Sequence, residues 1–162
     1  MRCAIYPGSF DPFTNGHKSI LMRSCQVFDK VIVAVAADNN KQSLFTIEER
    51  VNLIRVAVKD FPKVQVEAFD GLLADYVCQK GAQAIIRGLR MVSDFEYEMQ
   101  MAAFNKQLCS TAETVFFTSE IEYCFISATF VRNIASLGGD VFAFVPQNVA
   151  VALNEKFAHS NH

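Results

Sequence analysis

One stretch near the start of the chain, Tyr6-Pro-Gly-Ser-Phe-Asp-Pro-Phe-Thr-Asn-Gly-His17, gathers groups suited to handling phosphate. Gly8 and Gly16 permit a backbone approach that a side chain would block. Ser9 offers a hydroxyl. His17 offers an imidazole at the expected start of a helix, where free N–H groups and the dipole attract anions. The same residues also make an ordinary turn ahead of a surface histidine, so taken alone the stretch is ambiguous. A second group is Arg87-Gly-Leu-Arg90 at the end of a strand. Two arginines so spaced can fork onto phosphate oxygens. Glu98 follows on the next helix, where an exposed carboxylate is equally ordinary. A third is Ile126-Ser-Ala-Thr-Phe-Val-Arg132. Ser127 and Thr129 there can cap a helix, hold a phosphate beside its free N–H groups, or do both. Lys41 stands in a polar loop and by itself reads as a solvated lysine. The chain carries neither the GxGxxG fingerprint nor a GxxxxGK[ST] loop. It shows no paired catalytic carboxylates and no nucleophile with an adjacent base.

These groups need a frame. Apolar runs predict strands at 2–6, 31–37, 64–68, 84–86 and 115–118, and helical spacing predicts helices at 17–28, 47–60, 72–80, 93–108, 127–137 and 146–157. Thr46-Ile-Glu-Glu49 and Ser93-Asp-Phe-Glu96 read as capping boxes, which gives Glu96 a structural task. Gly81 reads as a helix C-cap. The alternation of strand and helix predicts an α/β fold: a Rossmann-like, doubly wound, five-stranded parallel sheet with helices on both faces. Right-handed crossovers then bring the loops 7–17, 38–43, 69–73, 87–92 and 119–129 to the carboxyl ends of the strands, near a topological switch point.

The 162 residues suit one domain spanning 1–162, and 51% apolar with 20% charged residues reads as globular. A net charge of −2 offers no basic face for nucleic acid, so an anionic ligand must be met by a few placed cations. No apolar run reaches membrane-spanning length, and the first residues lack signal-peptide architecture, so no membrane partner and a cytoplasmic location are expected. The five cysteines, at 3, 25, 78, 109 and 124, form no CxxC pair, and the three histidines show no zinc spacing. Free thiols in a reducing compartment are the expectation.

Taken together, the motifs resemble the nucleotidylyltransferase superfamily. Thr14-Asn-Gly-His17 is similar to its [T/H]xGH motif after the first strand, and residues 126–132 to its ISSTxxR-like motif. Within that superfamily the chain resembles the bacterial phosphopantetheine adenylyltransferases, through Tyr6-Pro-Gly-Ser-Phe-Asp-Pro, Phe45-Thr-Ile-Glu-Glu-Arg50, Ile86-Arg-Gly-Leu-Arg90 and Asp94-Phe-Glu-Tyr-Glu-Met-Gln100. The resemblance implies transfer of the adenylyl group of ATP to 4′-phosphopantetheine, giving dephospho-coenzyme A and pyrophosphate, the penultimate step of coenzyme A synthesis. It implies Mg²⁺, direct in-line attack without a covalent intermediate, a homohexamer, and coenzyme A as a feedback ligand.

Carried over by residue, the resemblance makes His17 the transition-state stabiliser, with Lys41 and Arg90 in the catalytic set. Ser9 touches both substrates and Phe10 offers its backbone to ATP. Gly88, Leu89 and Arg90 line the ATP, with Glu98 on the nucleotide side. Tyr123, Cys124, Phe125, Ile126, Ser127, Ala128 and Thr129 wrap the adenine and phosphates. Leu73 contacts the pantetheine arm, and Lys41 and Arg87 the phosphopantetheine. Metal ligands are not assigned. Ala128 departs from the family, which often carries a hydroxyl there. The rivals are a superfamily member acting on nicotinamide mononucleotide or glycerol 3-phosphate, and a non-catalytic ATP-binding regulatory module.

Overall fold

Val31, Val33 and Val35 are fully buried, and so are Ile32 and Ala34 between them. A strand of that kind has no wet face, so a layer of helices must cover each side. The computed structural model, which describes residues 1–37 and 42–158, has this plan. The elements run β1 (Cys3–Gly8), α1 (Asn15–Val27), β2 (Lys30–Ala36), α2 (Ile47–Ala57), β3 (Val64–Phe69), α3 (Leu73–Lys80), β4 (Ala84–Leu89), α4 (Val92–Leu108), β5 (Glu113–Thr118), a short 3₁₀ turn (Ile121–Tyr123), α5 (Ala128–Ser136) and α6 (Gln147–Ala158). The five strands are parallel in the order β3-β2-β1-β4-β5. Alternate side chains go to opposite faces. Ala4, Tyr6, Val31, Val33 and Ile86 pack with Leu21, Val51 and Ile54 of α1 and α2. Ile5, Ile32, Ala34 and Ile85 pack with Ala74 and Val77 of α3. A third cluster joins α5 and α6 to Phe45, through Val131, Val149 and Leu153.

The strand order reverses between β1 and β4, and that is where the sheet opens. β1 stays paired with β2 as far as Gly8↔Val35, but with β4 only at Ala4↔Ala84 and Ile5↔Ile85. Pro7 has no N–H to donate. It falls where β1 and β4 have parted, which is why a central strand tolerates it. The parted carboxyl ends form the crevice expected at a switch point.

Several expected boundaries move. β1 takes in Pro7 and Gly8, and β4 takes in Arg87, Gly88 and Leu89, all read from sequence as loop. Their neighbours β2 and β5 continue alongside and supply the ladder partners. Thr46 and Glu49 form the predicted capping box, with Glu49 N donating to Thr46 Oγ1 at 3.2 Å and Thr46 N to Glu49 Oε2 at 2.8 Å. The box expected at Ser93–Glu96 is replaced. Helix α4 begins at Val92, and the Asp94 carboxylate accepts from the N–H groups of Arg90 and Met91 at 3.1 and 3.2 Å. The expectation of free thiols fails for one pair. Cys78, near the end of α3, and Cys109, the C-cap of α4, form a disulfide with Cα atoms 6.0 Å apart. Crossover packing of the two helices brings these residues together, and a separation of 31 residues hides that in the sequence. Among the described residues, no helix is long and apolar enough to cross a membrane.

Candidate active site

The crevice between β1 and β4 holds a cavity of about 330 Å³. Of the residues singled out from sequence, Ser9, Phe10, His17, Arg87, Gly88, Arg90, Glu98, Tyr123, Ile126, Ser127, Ala128 and Thr129 line it. Leu89, Cys124 and Phe125 do not. Leu89 is held in the β4–β5 ladder opposite Thr118. Cys124 turns its thiol to the carbonyl of Ile121 at 3.1 Å. Phe125 is exposed and sets its ring against Phe144. Leu73 lies in a smaller cavity of about 190 Å³ with Tyr97, Met101 and Asn105. Arg87 and Glu98 line both cavities and so stand between them. Lys41 lies outside the described residues.

His17 owes its geometry to Thr14. Thr14 is the N-cap of α1, and its Oγ1 accepts from His17 N at 3.3 Å. In return Thr14 N donates to His17 Nδ1 at 3.0 Å. A backbone N–H only donates, so Nδ1 must be an acceptor. A neutral ring therefore carries its proton on Nε2. The ring is stacked on Phe13 at 5.7 Å and meets the edge of Phe10 at 5.0 Å. Burial among these rings, with repulsion from Arg90 and Arg87, pushes its pKa down to about 4. At neutral pH His17 is thus an uncharged donor fixed in one tautomer. Helix α1 can lie close to β4 because Gly88 has no side chain: a Cβ there would stand 2.3 Å from Ile20 Cδ1.

The loop between β1 and α1 is held from several sides. Phe10 adopts φ +49°, and its ring lies over Gly8, where a Cβ would come within 3.1 Å. The buried Asp11 carboxylate accepts from Leu44 N and Phe45 N at 2.9 and 3.0 Å. Arg132 of the third motif donates through Nη1 to Asp11 O at 2.5 Å. The family resemblance marked Arg132 as a motif residue, and the structure shows what it grips.

The cations are arranged with care for charge. Arg87 donates Nε to Glu98 Oε2 at 2.8 Å and Nη2 to Glu98 Oε1 at 2.7 Å, while Nη1 reaches Pro7 O at 3.4 Å. Glu98 is 7% exposed, so this two-pronged pair anchors it. Five donors less three leaves Arg87 two N–H groups for a ligand. The nucleotide role expected of Glu98 therefore has a competitor, since both its oxygens face Arg87. Arg90 is looser. It donates Nη1 to Ile126 O at 3.3 Å and lies 3.8 Å from Asp94 Oδ2. Ser127 caps α5, with its Oγ accepting from Phe130 N at 3.1 Å. Ala128 is the first residue of that helix and lines the cavity, so free helical N–H groups lie there whatever its side chain.

Thr14, Asp94 and Ser119 also line the cavity and are not among the site residues expected from sequence. Thr14 stood inside a quoted motif, three residues before His17, at the spacing of a capping box. Asp94 was overlooked because Ser93 and Glu96 fit that pattern better on paper. Ser119 follows β5 and gave no signal.

A crevice with two arginines, a neutral imidazole donor and two helix starts can hold and neutralise phosphate groups. Residues 5–134 match the cytidylyltransferase-like family. A phosphopantetheine adenylyltransferase of Lawsonia intracellularis is 52% identical over 160 residues, covering 99% of this chain and 93% of that relative. One of Azoarcus sp. is 54% identical over 153 residues, covering 94% of each. Among solved structures, a putative nicotinate-nucleotide adenylyltransferase from Vibrio parahaemolyticus has the same fold at a TM-score of 0.71 and 18% identity, covering 95% of this chain and 99% of that one. A bifunctional NMN adenylyltransferase/ADP ribose pyrophosphatase from Francisella tularensis gives 0.74 at 16% identity, covering 99% of this chain and 53% of that one. The chain belongs to the cytidylyltransferase-like family and, within it, to the phosphopantetheine adenylyltransferases.

Proposed function

We propose that the chain transfers the adenylyl group of ATP to 4′-phosphopantetheine, giving dephospho-coenzyme A and pyrophosphate in coenzyme A biosynthesis. One observation carries this reading beyond the relatives' names. The phosphate-handling crevice adjoins a second cavity, and the Arg87–Glu98 pair is common to both. ATP then lies across the larger cavity. The pantetheine arm enters the smaller one past Leu73, and its phosphate meets Arg87.

A phosphate dianion is already a nucleophile, so the transfer needs no general base. The work is to neutralise charge and to hold two anions in line. His17, through Nε2–H, stabilises the charge that develops at the α-phosphate. Arg90 and the N-terminus of α5 hold the other phosphates, and Lys41 bridges the reactants. Ser9 sits between the two substrates. The attack is direct, with no covalent enzyme intermediate. The lining carboxylates are already engaged, Glu98 by Arg87 and Asp94 by two backbone N–H groups. Among the described residues no three metal-ligating side chains stand together. A Mg²⁺ ion bound with the nucleotide would neutralise triphosphate charge.

A substrate panel tests the reading. With ATP present, 4′-phosphopantetheine is expected to release pyrophosphate, whereas nicotinamide mononucleotide and glycerol 3-phosphate are not. Turnover with either alternative and none with phosphopantetheine would overturn it. Coenzyme A contains both reactant halves, so as a feedback ligand it would compete with each.

Helix α4 bears on assembly. It buries only Glu98, while Phe95, Tyr97, Met99, Phe104 and Leu108 are 47–66% exposed. So much apolar surface marks an interaction site. We assign it to contacts between copies in a homohexamer. Sedimentation at the hexamer mass is expected, and a monomer at micromolar concentration would contradict the assignment.

A further inference from the structure

A guanidinium taken out of water must spend its N–H groups on acceptors inside the protein. Arg50 is 2% exposed and ends the first turn of α2. Its Nε donates to Phe45 O at 3.2 Å, and its Nη1 donates to Ser9 O at 2.7 Å and to Ala36 O at 3.1 Å. The three carbonyls belong to three separate segments. Ser9 O lies in the loop after β1, Ala36 O closes β2, and Phe45 O lies on the approach to α2. Ser9 lines the larger cavity and precedes Phe10, whose backbone is held at φ +49°. Ala36 is the last β2 residue before the segment that carries Lys41.

We propose that Arg50 is a positioning residue for adenylyl transfer: through these three carbonyls it sets the Ser9–Phe10 backbone against the chain leaving β2. The inference rests on the function proposed above, since it concerns how the two reactants are held in line. No other group could take this place unchanged. The guanidinium is planar, with donors at fixed angles, and it reaches three carbonyls from one head. A lysine carries its three donors on a single nitrogen, so it cannot stand at the Nε and Nη1 positions at once and meet all three carbonyls. Asp11 reinforces the arrangement, because its carboxylate ties the same loop to Leu44 N and Phe45 N. Slack at Ser9 passes directly to the chemistry, because the Phe10 ring lies 5.0 Å from the His17 ring.

The test is Arg50→Lys, assayed with ATP and 4′-phosphopantetheine beside the unaltered enzyme. A displacement of the reacting groups by about 1 Å can cost on the order of 100-fold in rate. The expected result is a kcat lowered by about 10–100-fold in a chain that keeps its far-UV spectrum. The His17 ring ¹⁵N resonances should also shift, which a distant packing change would not produce. Native kcat and an unmoved His17 signal would overturn the proposal. If the variant does not fold, the unaltered enzyme decides. The Arg50 Nε–H resonance is expected to shift when ATP is added, and an unchanged resonance would overturn it. An unaltered enzyme that makes no pyrophosphate would instead count against the proposed function.

Discussion

His17→Ala is expected to lower turnover by about 10²–10³-fold, the usual cost of removing one donor aimed at developing charge. The fold should survive, because the substitution forfeits only the two hydrogen bonds that Nδ1 makes at the start of α1, with Thr14 N and Thr14 Oγ1, each worth about 1 kcal/mol. The pH behaviour separates this donor from an ordinary surface histidine. The ring's pKa stands at about 4 in the folded chain, against 6.5 for a free imidazole. Between these values the unfolded chain takes up a proton that the folded chain refuses. Stability contributed by the neutral ring is therefore complete above pH 6.5 and is lost as pH falls toward 4. Turnover should show no inflection near 6.5 from this group. Measured against His17→Ala, the unaltered enzyme should lose unfolding midpoint faster through that acid window. An activity profile breaking near pH 6.5, and abolished by His17→Ala, would mean that the ring works as a cation.

Arg87→Ala should hurt in two ways at once. The substitution strips Glu98, which is 7% exposed, of its two-pronged partner. Breaking a buried pair from one side costs about 3–5 kcal/mol. Arg87's side chain is 33% exposed, so the low end, about 3 kcal/mol, is expected here. The second loss is functional. Arg87 lines the smaller cavity and is the cation proposed to meet the phosphopantetheine phosphate, so the KM for phosphopantetheine should rise more than the KM for ATP. Glu98→Gln added to Arg87→Ala separates the two. The double variant should regain much of the unfolding midpoint, since no buried charge is left unpaired, while the KM stays high. Additive destabilisation in the double variant would show that the two side chains act independently.

The strands and helices were legible because both faces of the sheet are covered. Val31 to Val35 form one continuous apolar run, and Ile47, Val51 and Ile54 recur at helical spacing. Strand ends were less legible. Pro7-Gly8 and Arg87-Gly88-Leu89 carry no strand pattern, and they are extended only because β2 and β5 offer partners beside them. The crevice was predictable in outline, since the loops after parallel strands converge at the switch point. What pattern could not supply was pairing. Nothing at position 87 or 98 says that these two side chains grip each other. Nothing at 78 and 109 says that they meet across two packed helices. Nor does a lone buried arginine at 50 reveal which carbonyls it holds. Such contacts arise from tertiary placement, and sequence spacing carries no trace of them.

The proposed transfer joins two phosphates directly and only when both reactants are present. ATP labelled at the α-phosphate tests it in one incubation series. With 4′-phosphopantetheine added, the label should pass to dephospho-coenzyme A in step with pyrophosphate release. Without it, neither pyrophosphate nor labelled protein should form. Label trapped on the protein, or pyrophosphate released from ATP alone, would rule out direct transfer between the two substrates.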